Sequence, residues 1–152
     1  MTYEELLKEA DNMGLIVKEK PLQSGDGMIF KNRIAVRRNI PTQKEKSCVL
    51  AEELGHHHTT VGNILDQSSI SNRRQEIIAR TWAYNKMIGL IGIISSYEHG
   101  CRNKHEISEY LGVTEGFLDE ALERYRQKYG ERAIVDNYIV CFEPALVVIK
   151  MG

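Results

Sequence analysis

Residues 47–60, SCVLAEELGHHHTT, crowd two adjacent carboxylates and three consecutive imidazoles into one stretch of helical pattern. At about 100° per residue, Val49, Glu52, Glu53 and His56 fall on one face, and Leu50, Ala51, Leu54 and His58 on the other. Glu52 and His56 stand one turn apart, so a carboxylate and an imidazole can reach the same ion. Glu53, one position along, is placed to touch a water beside that ion. The arrangement is that of the HExxH motif, with Glu52 where the first histidine would be. The spacing therefore predicts a helical metal site with Glu52 and His56 as ligands and Glu53 as general base. A second pairing, Glu53 with His57, has the same spacing but would consume the base. His58 faces the apolar side and reads as a satisfied core or boundary histidine.

Upstream, Thr42 and Glu45 form a capping box that starts this helix behind Pro41. Thr2 and Glu5 form another, ahead of a first helix with Tyr3, Leu6, Leu7, Ala10 and Met13 at helical spacing and Gly14 at its end. Residues 15–17 then open an extended stretch, punctuated by Pro21 and the Ser24-Gly25-Asp26-Gly27 cluster. Residues 27–31 and 33–38 read as a hairpin through Asn32. Ile34 and Val36 alternate with Arg33, Ala35 and Arg37, so one face of the small sheet packs on helices and the other meets solvent or a ligand. Arg37 and Arg38 read as a solvated edge.

Downstream, residues 61–69 read as a loop, and Asn72 with Gln75 predicts the cap of a long helix over residues 73–97. That start puts Glu76 in the first turn, where the helix dipole favours an ionised carboxylate. Ala79 and Ala83 share its face, and small side chains there let this helix approach the motif helix closely enough to deliver Glu76 as a third ligand. Trp82 anchors the packing. The apolar run MIGLIGII, residues 87–94, is far short of the roughly 20 residues a membrane span needs and reads as buried core helix.

The string HEISEYLGVTEGFLDEALERYR gives two helices, residues 105–111 and 114–129, a helix-turn-helix-like subregion within residues 103–130. Glu115, Asp119, Glu120 and Glu123 on its second helix oppose phosphate binding, so packing is the first reading there. A reader of DNA would use Lys104, Arg124, Arg126 and Lys128. The tail, residues 132–150, holds two or three short strands with breaks at Asp136-Asn137 and Glu143-Pro144, and is expected to extend the sheet.

The chain has 152 residues with 20 basic and 21 acidic side chains, a formal charge of −1. That balance argues against a protein whose main task is neutralising nucleic-acid backbone. The length suits one domain over residues 1–152, with core enough to need no staples. Cys48, Cys101 and Cys141 form no CxxC pattern, and no secretory signal opens the chain, so a reduced, cytoplasmic protein is expected. Nothing in the composition fixes an oligomeric state.

LAEELGHHHTT, followed by RRQEIIARTWA, resembles the ImmA/IrrE family of metallopeptidases, and more narrowly a phage and mobile-element branch in which Glu often replaces the first motif histidine. The resemblance covers most of the chain. It implies an α+β, zincin-like minimal metallopeptidase: an N-terminal helix, a small β-sheet, the motif helix, and a long following helix whose Glu-x-x-Ala segment, here Glu76 to Ala79, gives the third metal ligand. A helix-turn-helix-like segment follows, and the tail adds short C-terminal strands. Family members with known roles cleave, or relieve the action of, cytoplasmic repressors of mobile elements or stress genes. The resemblance therefore implies a protein partner, a helix-turn-helix repressor, rather than nucleic acid or a membrane.

The expected chemistry is metal-dependent peptide hydrolysis. With Glu52, His56 and Glu76 holding a divalent ion, Glu53 takes the proton of the attacking water and returns it to the departing amine. His57 and Tyr84 are auxiliary candidates for an oxyanion donor. Two carboxylates and a neutral imidazole neutralise a divalent cation, which weakens its Lewis acidity relative to a two-histidine site. Zinc is the first choice, and the oxygen-rich set admits manganese or iron. A catalytically weak or inactive metal-binding interaction protein, an anti-repressor, is the second reading, and a DNA-binding regulator the third.

Overall fold

The computed structural model describes residues 1–59 and 69–152 of an α+β chain. Two compact units divide it, Met1–Ala83 and Tyr84–Gly152.

In the first unit, α1 (Tyr3–Asn12) starts on Thr2, whose Oγ1 accepts the Glu5 amide at 3.1 Å. Gly14, in the left-handed region at φ 76°, turns the chain toward β1 (Ile16–Lys20). β2 (Gly27–Phe30) and β3 (Arg33–Arg37) form the expected antiparallel hairpin, turning at Lys31-Asn32. β1 pairs with β3 in parallel, so the order is β1-β3-β2 and the middle strand carries buried Ile34 and Val36. Alternation along β3 predicts this: its apolar positions face the helices and its basic ones face out.

α1 and α2 (Gln43–Thr59) pack on the inner face of that sheet. Thr42 Oγ1 accepts the Glu45 amide at 3.2 Å and starts α2 where the capping box places it. Leu50, Ala51 and Leu54 are fully buried, and each leucine contributes about 2 kcal/mol by leaving water. A polar link joins three elements: the Tyr3 hydroxyl donates to Glu19 at 3.2 Å, and Lys46 Nζ donates to its other oxygen at 2.8 Å. The Lys46 ammonium holds the Glu19 carboxyl below its usual range.

The helix expected over residues 73–97 is corrected at both ends. α3 (Ser69–Met87) is already helical at Ser69, so Asn72 lies inside it and Glu76 lies beyond its first turn. The dipole argument for Glu76 therefore fails, and side chains supply its partners instead. The loop expected over residues 61–69 falls outside the described residues, save that Ser69 opens α3. At the other end α3 stops at Met87, and α4 (Gly89–His99) begins after Ile88, with Gly89 at φ 64°. The apolar run straddles this break: Met87, Ile88, Ile93 and Ile94 are buried, but Ile91 is 63% exposed. A left-handed residue ends the hydrogen-bond ladder, and glycine adopts it without strain.

In the second unit the Gly89 amide donates to the Tyr125 hydroxyl at 3.2 Å, and that hydroxyl donates to Asn85 Oδ1 at 3.0 Å. α5 (Lys104–Leu111) and α6 (Glu115–Tyr129) match the expected helix pair, capped by Asn103 and Thr114, with Gly112 left-handed between them. Lys104 pairs with Asp119 at 2.9 Å, and Arg126 pairs with Glu123 and Glu143. Two of the cations a DNA reader would use are thus engaged by carboxylates. The tail does not extend the first sheet. β4 (Arg132–Val135), β5 (Tyr138–Cys141) and β6 (Val147–Lys150) form a second antiparallel sheet of their own, ordered β4-β5-β6. Asp136 adopts φ 52° in the two-residue turn and folds β4 back on β5, while β6 takes the other edge of β5, so the tail satisfies its own ladders. No helix among the described residues is long and apolar enough to cross a membrane.

Candidate active site

α2 turns its leucines inward, which leaves Glu52, Glu53 and His56 half-buried on its other side. Gly55 is buried in the middle of this helix, where glycine costs about 1 kcal/mol relative to alanine. Its reason is proximity: a Cβ at position 55 would stand 2.2 Å from the Ala79 carbonyl oxygen of α3. The two helix backbones touch with only hydrogen between them, and Ala79 and Ala83 are fully buried, as the small-residue face of α3 predicts.

That contact brings His56 Nε2 to 3.1 Å from Glu76 Oε2. The other oxygen of Glu76 accepts from Arg80 Nε at 3.0 Å, one turn along α3. Two of the three predicted ligands therefore meet across α2 and α3. Glu52 does not complete the set: among the described residues, no group of three or more His, Cys, Asp or Glu side chains is arranged to hold a metal ion.

Glu53 lies against β2. A Cβ on Gly27 would come 2.9 Å from Glu53 Oε1 and 2.8 Å from Val49 Cγ1, so the strand reaches the carboxylate only because residue 27 lacks a side chain. Burial, reinforced by the charges of Glu52 and Glu76, pushes the Glu53 carboxyl from its ordinary 4.5 up to about 7. Three carboxylates beside one imidazole make a donor set suited to a divalent cation. His56 and Glu76 stand close enough for both to reach one ion, and Glu52 lies one turn before His56 on α2.

The remaining candidates are dispersed. His57 is exposed, with its ring edge-on to His58 at 5.3 Å. His58 is also exposed; it stacks on Trp82 at 4.6 Å and touches the Met13 sulfur, a boundary residue rather than a core one. Trp82 thus has the packing role expected of it. Tyr84 belongs to the second unit, where it is buried, donates to Glu120 at 3.2 Å and packs edge-on to Phe117.

Gly27 and Gly55 were not legible as site residues. Gly27 reads in sequence as turn punctuation and Gly55 as a spacer in the motif. The signal that finds them is their cost, since a glycine inside a strand or helix marks a place where another group comes close.

Residues 9–123 match a family model described as the IrrE N-terminal-like domain, a peptidase family. The chain belongs to that family. The match includes Glu52, Glu53, Gly55, His56 and Glu76, and it stops short of the β4-β5-β6 sheet. Membership in the IrrE N-terminal-like family makes the chain metallopeptidase-like and implies a metal cofactor. No curated protein and no solved structure matches the chain.

Proposed function

We propose that this IrrE N-terminal-like chain is a metal-dependent endopeptidase in which Glu52, His56 and Glu76 hold one divalent ion and Glu53 carries the proton. The observation that supports it is the 3.1 Å approach of His56 Nε2 to Glu76 Oε2 from two different helices. When bound, the ion supplies Lewis acidity to the scissile carbonyl and makes water easier to deprotonate. Glu53 accepts the proton of the attacking water and passes it to the departing amine nitrogen. The hydrogen of Gly27 leaves room for that carboxylate. Zinc is the favoured ion, and the oxygen ligands Glu52 and Glu76 also suit manganese or iron. The likeness of EELGH to a phage and mobile-element branch supports a cytoplasmic helix-turn-helix repressor as the protein substrate.

Elemental analysis after equilibration with zinc tests the division of roles. About one equivalent should remain in the native chain and in Glu53→Gln, with loss in His56→Ala and in Glu76→Ala. Full retention by both alanine variants would sink the ligand assignment. The direct pairing of His56 with Glu76 without Glu52 favours a second reading, a metal-binding anti-repressor that acts without hydrolysis. The two separate on Glu53→Gln: a peptidase loses cleavage of a co-expressed repressor, whereas an anti-repressor keeps its effect on transcription.

A further inference from the structure

The β1-β3-β2 sheet has one face against α1 and α2 and, among the described residues, one face left exposed. On the open face the register sets Ile16, Arg33 and Phe30 in one row across the three strands, Lys18, Ala35 and Met28 in the next, and Lys20 beside Arg37 in the third. Ala35 is the small residue at the centre, and the larger side chains around it enclose a shallow concavity of about 270 Å³. Ile16, Met28 and Phe30 are 43%, 55% and 69% exposed. Apolar side chains gathered around a hollow, with cations interleaved, are the pattern of a recognition surface rather than of scattered surface residues.

The face is predominantly cationic, with Asp26 as an acid at its Arg37 end. Lys18, Lys20 and Arg33 are exposed, and among the described residues none of the three meets a carboxylate, whereas Arg37 is paired with Asp26. Lys31 adds a fourth cation, its Nζ 5.5 Å above the Phe30 ring. Glu19, the acid of β1, points to the other face and is held by Lys46. Three strands at roughly 4.8 Å spacing give a face about 10 Å wide, the diameter of one α-helix.

We propose that this face docks an acidic amphipathic helix of a protein partner, with an apolar side chain seated over Ala35 and carboxylates meeting Lys18, Lys20 and Arg33. The recessed floor argues against a bilayer, which needs apolar tips standing beyond the cations. Phe30 offers a ring but Ile16 and Met28 do not, so successive bases would find no run of rings to stack on, which argues against a single-stranded nucleic acid. The surface lies on the opposite side of the sheet from Glu53, so the assignment stands whether or not the centre at α2 hydrolyses peptides.

The test titrates isotope-labelled full-length protein with two synthetic amphipathic helices of about four turns, sharing one leucine stripe and flanked by Glu in one and by Lys in the other. The Glu-flanked peptide should bind saturably, weaken as salt rises, and shift amide signals confined to β1, β2 and β3. Lys18→Glu combined with Arg33→Glu should weaken it at least about tenfold, and Phe30→Ser should weaken it without changing the salt slope. Unchanged spectra outside the sheet confirm that these exposed substitutions leave the fold intact. Equal affinity for the Lys-flanked peptide, shifts elsewhere, or no saturation at millimolar peptide would overturn the proposal. So would self-association protecting the same amides, or tighter binding of anionic vesicles or oligothymidylate at this face.

Discussion

Gly55→Ala puts the close approach of α2 and α3 under direct strain. The added Cβ would stand 2.2 Å from the Ala79 carbonyl oxygen and 3.0 Å from its carbon. An ordinary carbon–oxygen contact needs roughly 3.3 Å, so the helices must part by about 1 Å, because a backbone carbonyl cannot rotate away as a side chain could. Overpacking of this kind costs about 3 kcal/mol at the upper end of its range. The better helix propensity of alanine returns about 1 kcal/mol, which leaves a net loss of about 2 kcal/mol. For a chain of 152 residues that lowers Tm by about 4 to 8 °C. The same displacement separates His56 from Glu76, so zinc stoichiometry should fall with stability. Urea and thermal denaturation followed by circular dichroism read the first effect, and elemental analysis the second. Gly116→Ala is the matched control: it lies in α6 with nothing within 4 Å of a new Cβ, and stability should hold or rise by about 0.5 kcal/mol. Unaltered melting and full zinc content in Gly55→Ala would refute the contact as the device that brings the ligands together.

In chelator-treated protein, the raised Glu53 carboxyl makes the folded state hold a proton that the unfolded chain has released. The contribution of this carboxyl to stability should therefore be full below the ordinary 4.5 and be lost as pH rises through about 7, by about 3 kcal/mol at about 1.4 kcal/mol per pH unit. Glu53→Gln should flatten that decline and be the more stable protein at pH 8; parallel urea midpoints for the two proteins across this range would contradict the burial of the charge. Tyr125→Phe removes the hydroxyl that accepts the Gly89 amide at the α3/α4 break and should cost about 1 to 2 kcal/mol by leaving a backbone donor unpaired, measured as a urea midpoint. Arg80→Ala deletes an exposed ion pair and should move stability by less than about 0.5 kcal/mol, while zinc binding by calorimetry tightens because Glu76 no longer shares its charge.

Much of the first unit was readable from local chemistry. Thr2 and Thr42 each place a helix start, Lys31-Asn32 falls between two alternating stretches, and the apolar stripe Leu50, Ala51 and Leu54 decides which face of α2 keeps the carboxylates. The errors sit at helix boundaries and in strand pairing, where a local signal admits more than one answer. Asn72 looks like a cap, yet α3 already runs from Ser69. The apolar run at residues 87–94 has unbroken helical pattern, yet Gly89 interrupts it and Tyr125 takes up the freed amide. The tail strands carried no mark of which sheet they would join. Glu76 was found as a partner of His56 for one right reason, the small face of α3, and one wrong one, its position in the first turn. Gly55 supplied the missing half of that approach.

The hydrogen at Gly27 bears on how this centre can evolve. α2 has a strand against one flank at Glu53 and a helix against another at Gly55, so neither level tolerates growth, and drift toward one neighbour opens a gap at the other. Substitutions that keep the girth of α2 should therefore be the ones it accepts. Position 52, beside both of these levels, carries a carboxylate in this chain.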